Sequence, residues 1–267
     1  MKKSRQAEGR KRKWLFPVVC VLCVLISAIP PYAEKPFAPQ DAQDVVISLL
    51  MVSVNPYRHL APLFHIGTLL IVLLIAVFRK KMGRVLAAYV GLNYLVIAFL
   101  PTMGTTEEYG FVIHWGALIM GVLLGLGWVV VAIRSQLEAS CGNAPRFWYV
   151  FLPLAVLAFW SPYDVHGAQV KPCFDPALLL TSPDYGLTFC LTTPVFLFLF
   201  ALFYPKANNL VYRSTAFNGV LYGLFNMTHF FDPKLCWMGV LHLPLLLISL
   251  YALILPGLSK REAVRTA

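Results

Sequence analysis

The 267-residue chain is 59% apolar and 13% charged, where an average soluble domain is about 25% charged. With a mean hydropathy of +0.71, that composition excludes an ordinary water-soluble enzyme and a disordered tail and leaves a polytopic membrane protein. The net charge of +10 does not indicate a nucleic-acid partner, because the charges lie between apolar runs.

In chain order, residues 1–13 form a basic arm (Lys2, Lys3, Arg5, Arg10, Lys11, Arg12, Lys13) directly before the first apolar run. By the positive-inside rule this arm is cytoplasmic. Apolar runs follow at 14–30, 59–78, 85–103, 111–133, 147–161, 187–204, 211–231 and 237–256. Each is bounded by charge, Pro or Gly, and about 20 apolar residues suffice to cross a bilayer as a helix. The expected fold is therefore all-α: one integral membrane domain over residues 1–267, a bundle of about eight spans with both termini cytoplasmic. The membrane is expected to be a plasma membrane or a bacterial or archaeal cytoplasmic membrane.

Charge sorts by side under this topology. Inner segments hold Arg79, Lys80, Lys81, Arg84, Arg134, Arg146, Lys206, Arg213, Lys260, Arg261 and Arg265 besides the arm, whereas outer segments hold only Lys35, Arg58, Lys171 and Lys234. Nine of twelve acidic residues fall outside: Glu34, Asp41, Asp44, Glu107, Glu108, Asp164, Asp175, Asp184 and Asp232. The first run is read as a span and not a cleaved leader, because Pro30 and Pro31 make a poor cleavage site. The ten residues from Val45 to Val54 are too few to cross and are expected in the outer interface or as a re-entrant segment. The 162–186 connection, rich in Pro and Asp, is expected to cap the bundle from outside, with a short helix over Ala177–Thr181. Gly121 with Gly125, and Gly219 with Gly223, mark faces where helices approach closely.

The six histidines all fall on the outer side of this topology, His59 among them. His65, His114, His229 and His242 lie within roughly 10 Å of the outer boundary at 1.5 Å per residue, and His166 lies in the capping loop. Neutral imidazole is the commonest protein ligand for zinc, copper and haem iron. His65, His114, His166, His229 and His242 with Asp164 are therefore the candidate ligands of a metal ion or haem, for redox or hydrolytic chemistry. No HExxH or paired CxxC motif accompanies them. Asn226-Met-Thr228 lies within a span, out of reach of glycosylation, and Ser53 lacks a nucleophile elbow. Cys20 and Cys23 read as small buried hydrophobes and Cys141 as a reduced cytoplasmic thiol, while Cys173 and Cys236 are the preferred disulfide pair.

No Asp, Glu, Lys or Arg occupies the centre of any span, which argues against a proton-coupled carrier. Two other functions remain open. One is a carrier or channel for a small neutral solute, lined by Asn93, Thr192, Thr193, Asn218 and Asn226. The other is a structural or assembly subunit of a membrane complex. The expected partners are the lipid bilayer and, for an assembly subunit, the other members of a membrane complex, with no nucleic acid; no motif specifies a small-molecule ligand, a substrate or a reaction.

Overall fold

The structure is a computed structural model that describes residues 2–139, 147–166, 169–233 and 235–265. Arg146, Cys141 and Lys234 lie outside the described residues, as do the side chains of the basic arm, of His166 and of Lys260, Arg261 and Arg265.

The described residues form ten α-helices: α1 (Lys2–Ser27), α2 (Ala42–Val54), α3 (Ala61–Phe78), α4 (Gly83–Phe99), α5 (Trp115–Ile133), α6 (Leu152–Trp160), α7 (Leu178–Thr181), α8 (Phe189–Phe203), α9 (Asn209–Asn226) and α10 (Cys236–Arg265). A helix stands at each of the eight expected spans. Three helical stretches are long and apolar enough to cross a membrane: Pro39–Phe99, Trp115–Ile133 and Cys236–Leu258. Trp14–Ser27, Trp148–Trp160 and Phe189–Phe203 are apolar but shorter. The last two would extend only about 20 Å at 1.5 Å per residue.

The all-α expectation needs correction, because the protein is mostly helical with two small antiparallel sheets. Strands β1 (Tyr32–Ala33), β2 (Met103–Thr106) and β3 (Gly110–Ile113) form one in the order β1-β3-β2; β4 (Tyr163–His166) and β5 (Gln169–Pro172) form the other. The β2–β3 turn uses Gly110 at φ +68°, a conformation open mainly to glycine. β-Branched Val112 and Ile113 then continue as strand, so α5 begins at Trp115, four residues later than the apolar run. α2 packs Leu49 and Ser53 against Gly104 of β2. The expected short helix in the capping loop is α7.

Aromatic and aliphatic side chains fill the centre of the bundle. Trp128 of α5 stacks on Phe200 of α8, with ring centres 4.0 Å apart, and its indole Nε1–H donates to Thr215 Oγ1 of α9 at 3.0 Å. The glycine pairs sit at close crossings. A β-carbon on Gly121 of α5 would stand 2.8 Å from Ala98 Cβ of α4, and one on Gly223 of α9 would stand 2.9 Å from Leu246 Cα of α10.

Connections gather in two layers. In one, the Lys80 and Lys206 ammonium groups both hold Glu138, at 3.1 and 3.0 Å, while Arg84 bonds Ser135 and Asn208 bonds Gln136. This is the basic end. The sheets, α2 and α7 belong to the opposite layer.

Candidate functional site

The layer opposite the basic end is built on buried polar side chains that hold the capping loop to the helices. His65, one turn into α3, is fully buried. Its Nδ1 lies 2.9 Å from Ala61 O, and its Nε2 lies 3.1 Å from Phe159 O and 3.2 Å from Ser182 Oγ. Its ring packs on Phe159 and Tyr185 at 4.8 and 4.5 Å. Both nitrogens are thus engaged within the protein, and His65 joins α3, α6 and the end of α7.

Neighbouring groups do the same. Thr68 Oγ1 bridges the Tyr89 and Tyr185 hydroxyls at 3.0 Å each. Asn93 Nδ2 donates to Gly186 O at 3.0 Å, and Gly186 N–H donates to Thr192 Oγ1 at 2.9 Å. Tyr94 and Thr193 share a hydroxyl hydrogen bond at 3.1 Å. Asn93, Thr192 and Thr193, the sequence candidates for a solute path, are buried in these contacts. Asn218 donates to Ser214 O and Cys23 Sγ, and Asn226 to Tyr222 O and Cys190 Sγ.

Sequence reading named Asp164 as the functional carboxylate and did not single out Asp184, which organises the cap. Arg58 Nε meets Asp184 Oδ1 at 3.1 Å, and the Tyr163 hydroxyl donates to Asp184 Oδ2. Burial first, and then the Asp184 charge, push the Tyr163 phenol well above its ordinary range. The Ser182-Pro183-Asp184-Tyr185-Gly186 turn was the available signal, since such clusters fix tight turns.

The histidines separate. His114 is the residue before α5, and its backbone N–H donates to Thr102 O at 2.8 Å. Asp164 lies in β4 opposite Lys171, and the His166 backbone pairs with Gln169 at the hairpin tip. His229, in the 3-10 turn Met227–Phe231 after α9, and His242, two turns into α10, are neighbours with ring centres 5.5 Å apart and planes at 38°. His242 Nδ1 lies 2.8 Å from Met238 O. Donation there fixes the tautomer and leaves Nε2 with its lone pair. Among the described residues, no three His, Cys, Asp or Glu side chains form a group that could hold a metal ion. The expected many-histidine arrangement therefore reduces to one pair, because His65 turns toward α6 and the cap. Cys173 and Cys236 are both free, and Cys236 Sγ contacts Pro233 O at 3.5 Å.

Comparison of the chain with protein families, curated proteins and solved structures finds no match.

Proposed function

We propose that this is a multi-pass integral membrane protein of eight spans, with the basic end and both termini cytoplasmic, that binds a transition-metal ion between His229 and His242 on its extracytoplasmic face. The side-by-side imidazoles carry the reading. Two imidazoles bound to one ion at about 2.0–2.1 Å, with near-tetrahedral angles, place their ring centres about 5–5.5 Å apart. The separation of 5.5 Å fits that requirement. A ring nitrogen donated to a backbone carbonyl, as in His242, is the usual outer support of a metal-bound histidine. Among the described residues these two imidazoles are the ligands proposed, and the remaining positions on the ion would be taken by solvent or substrate. The basic end, with Lys80, Arg84 and Lys206 joined through Glu138, Ser135 and the 204–208 turn, supports the assigned orientation. The carrier reading has less support, since the Asn93 amide nitrogen and the Thr192 and Thr193 hydroxyls are engaged in anchoring contacts, with only the Asn93 Oδ1 of this group unpartnered.

The test is elemental analysis and an optical spectrum of protein purified in mild detergent without chelator, followed by zinc and copper titration. Near-stoichiometric metal is expected in wild type and in His114→Ala, with loss of at least tenfold in affinity in His229→Ala and His242→Ala. Equal binding by all four proteins, or none by folded wild type, would sink the assignment.

A further inference from the structure

At the basic end, a cavity of about 520 Å³ opens between α9, α10 and the end of α8, lined among others by Tyr204, Asn209, Arg213, Leu253, Ile254 and Gly257. That is within the volume range of small-molecule sites. Its polar wall is Arg213, whose guanidinium carbon stands 3.6 Å over the Phe16 ring of α1. The Arg213 Nε is buried without a hydrogen-bond partner. No carboxylate pairs with Arg213 among the described residues, and Glu138 is held by Lys80 and Lys206. A guanidinium held in place on an aromatic face, with its Nε–H unspent and no paired carboxylate among the described residues, is an anion receptor. The α9 N-terminus is not the receptor, because Asn208 Oδ1 already caps Leu210 and Val211 N–H, at 3.1 Å each. Asn209, four residues before Arg213 on α9, lines the same cavity. The opposite wall is apolar, and Ile254 and Leu258 remain 54% and 42% exposed. One charged wall and one exposed apolar wall match an amphiphile with an anionic head.

We propose that this cavity binds a phosphate-bearing anion, with Arg213 holding the phosphate. The apolar wall favours the headgroup of an anionic phospholipid, with its acyl chains along Leu253, Ile254 and Leu258; free phosphate presents the same chemistry. Placing this cavity at the inner leaflet rests on the orientation proposed above, but the chemistry of the cavity is independent of the metal reading.

The experiment is native mass spectrometry of delipidated full-length protein titrated with phosphatidylglycerol, phosphatidylcholine or inorganic phosphate. Wild type should retain one phosphatidylglycerol at a concentration at least tenfold below that needed for phosphatidylcholine. Arg213→Gln should erase this preference. Gly257→Trp should block the site with every charge in place, since a β-carbon at Gly257 meets nothing within 4 Å. Both variants are compared at matched lipid-free melting temperature with wild type. Displacement of the lipid by millimolar phosphate identifies free phosphate as an occupant, and failure of displacement assigns the site to lipid. Equal retention of the two lipids by wild type, or unchanged phosphatidylglycerol binding in Gly257→Trp, overturns the proposal.

Discussion

Gly186→Ala tests whether the capping loop is fastened to the bundle as the hydrogen bonds indicate. Gly186 has φ +80°, in the left-handed region that costs an L-residue about 1–2 kcal/mol. An added β-carbon would also stand 2.7 Å from Phe64 Cδ2 and closer still to Phe64 Cβ and Cγ. Phe64 has little room to retreat, because it packs on the cluster of Ala158, Tyr185 and Val195. Overpacking of this kind costs about 1–3 kcal/mol. Together the two terms give about 2–5 kcal/mol, before any loss of the Gly186 bonds to Asn93 and Thr192. Fluorescence-detected thermal unfolding in mild detergent should then show a fall of about 4–20 °C, using about 2–4 °C per kcal/mol for a chain of this size. Gly257→Ala is the internal control, since its β-carbon enters open space. A Gly186→Ala protein that melts within about 1 °C of wild type would refute the anchoring argument.

Two further outcomes follow from the packing and the charges. Trp128→Ala removes the stack on Phe200 and the bond to Thr215 and should cost about 3–5 kcal/mol by the same melt; a loss below about 1 kcal/mol would mean that the bundle centre is not where stability resides. At the basic end, hydrogen bonds from Lys206 first and Lys80 second hold the Glu138 carboxyl below its ordinary value of 4.5. Its contribution is therefore present above about pH 4.5 and is lost as pH falls through the lowered value. Comparing wild type with Glu138→Gln across pH 3–7 should show the difference in melting temperature shrinking toward the acid end, and a difference constant with pH would contradict the ion pairs.

Helix positions were legible because apolar runs bounded by charge, Pro or Gly report burial directly, and helices stand at all eight. The glycine pairs were legible too, since a missing side chain at four-residue spacing permits a backbone contact such as Gly223 against Leu246. The strands were not. Phe111, Val112 and Ile113 continue smoothly into the apolar run of α5, and only the glycine turn at Gly110 separates a two-residue period from a 3.6-residue one. Likewise, composition makes Asp164 and Asp184 equivalent acids of one loop; only the fold brings Asp184 to Arg58 and Tyr163.

The histidines show the same division between depth and direction. Sequence gives the depth of a residue along a helix, but which imidazoles meet depends on rotation about each helix axis and on which helices are neighbours. α9 and α10 are drawn together by Gly219 and Gly223, so residues flanking their connection, His229 and His242, are forced into proximity. α3 instead packs on α7, and its histidine is held by the cap at Ser182. A pair supplied by a close-packed helical hairpin is positioned by the same contacts that hold the hairpin. Widening the crossing should therefore part the imidazoles: Gly223→Leu, whose β-carbon would meet the Leu246 backbone, is expected to weaken metal binding although it touches neither ring. Unchanged affinity in a folded Gly223→Leu protein would show that the histidines are positioned independently of the glycine face.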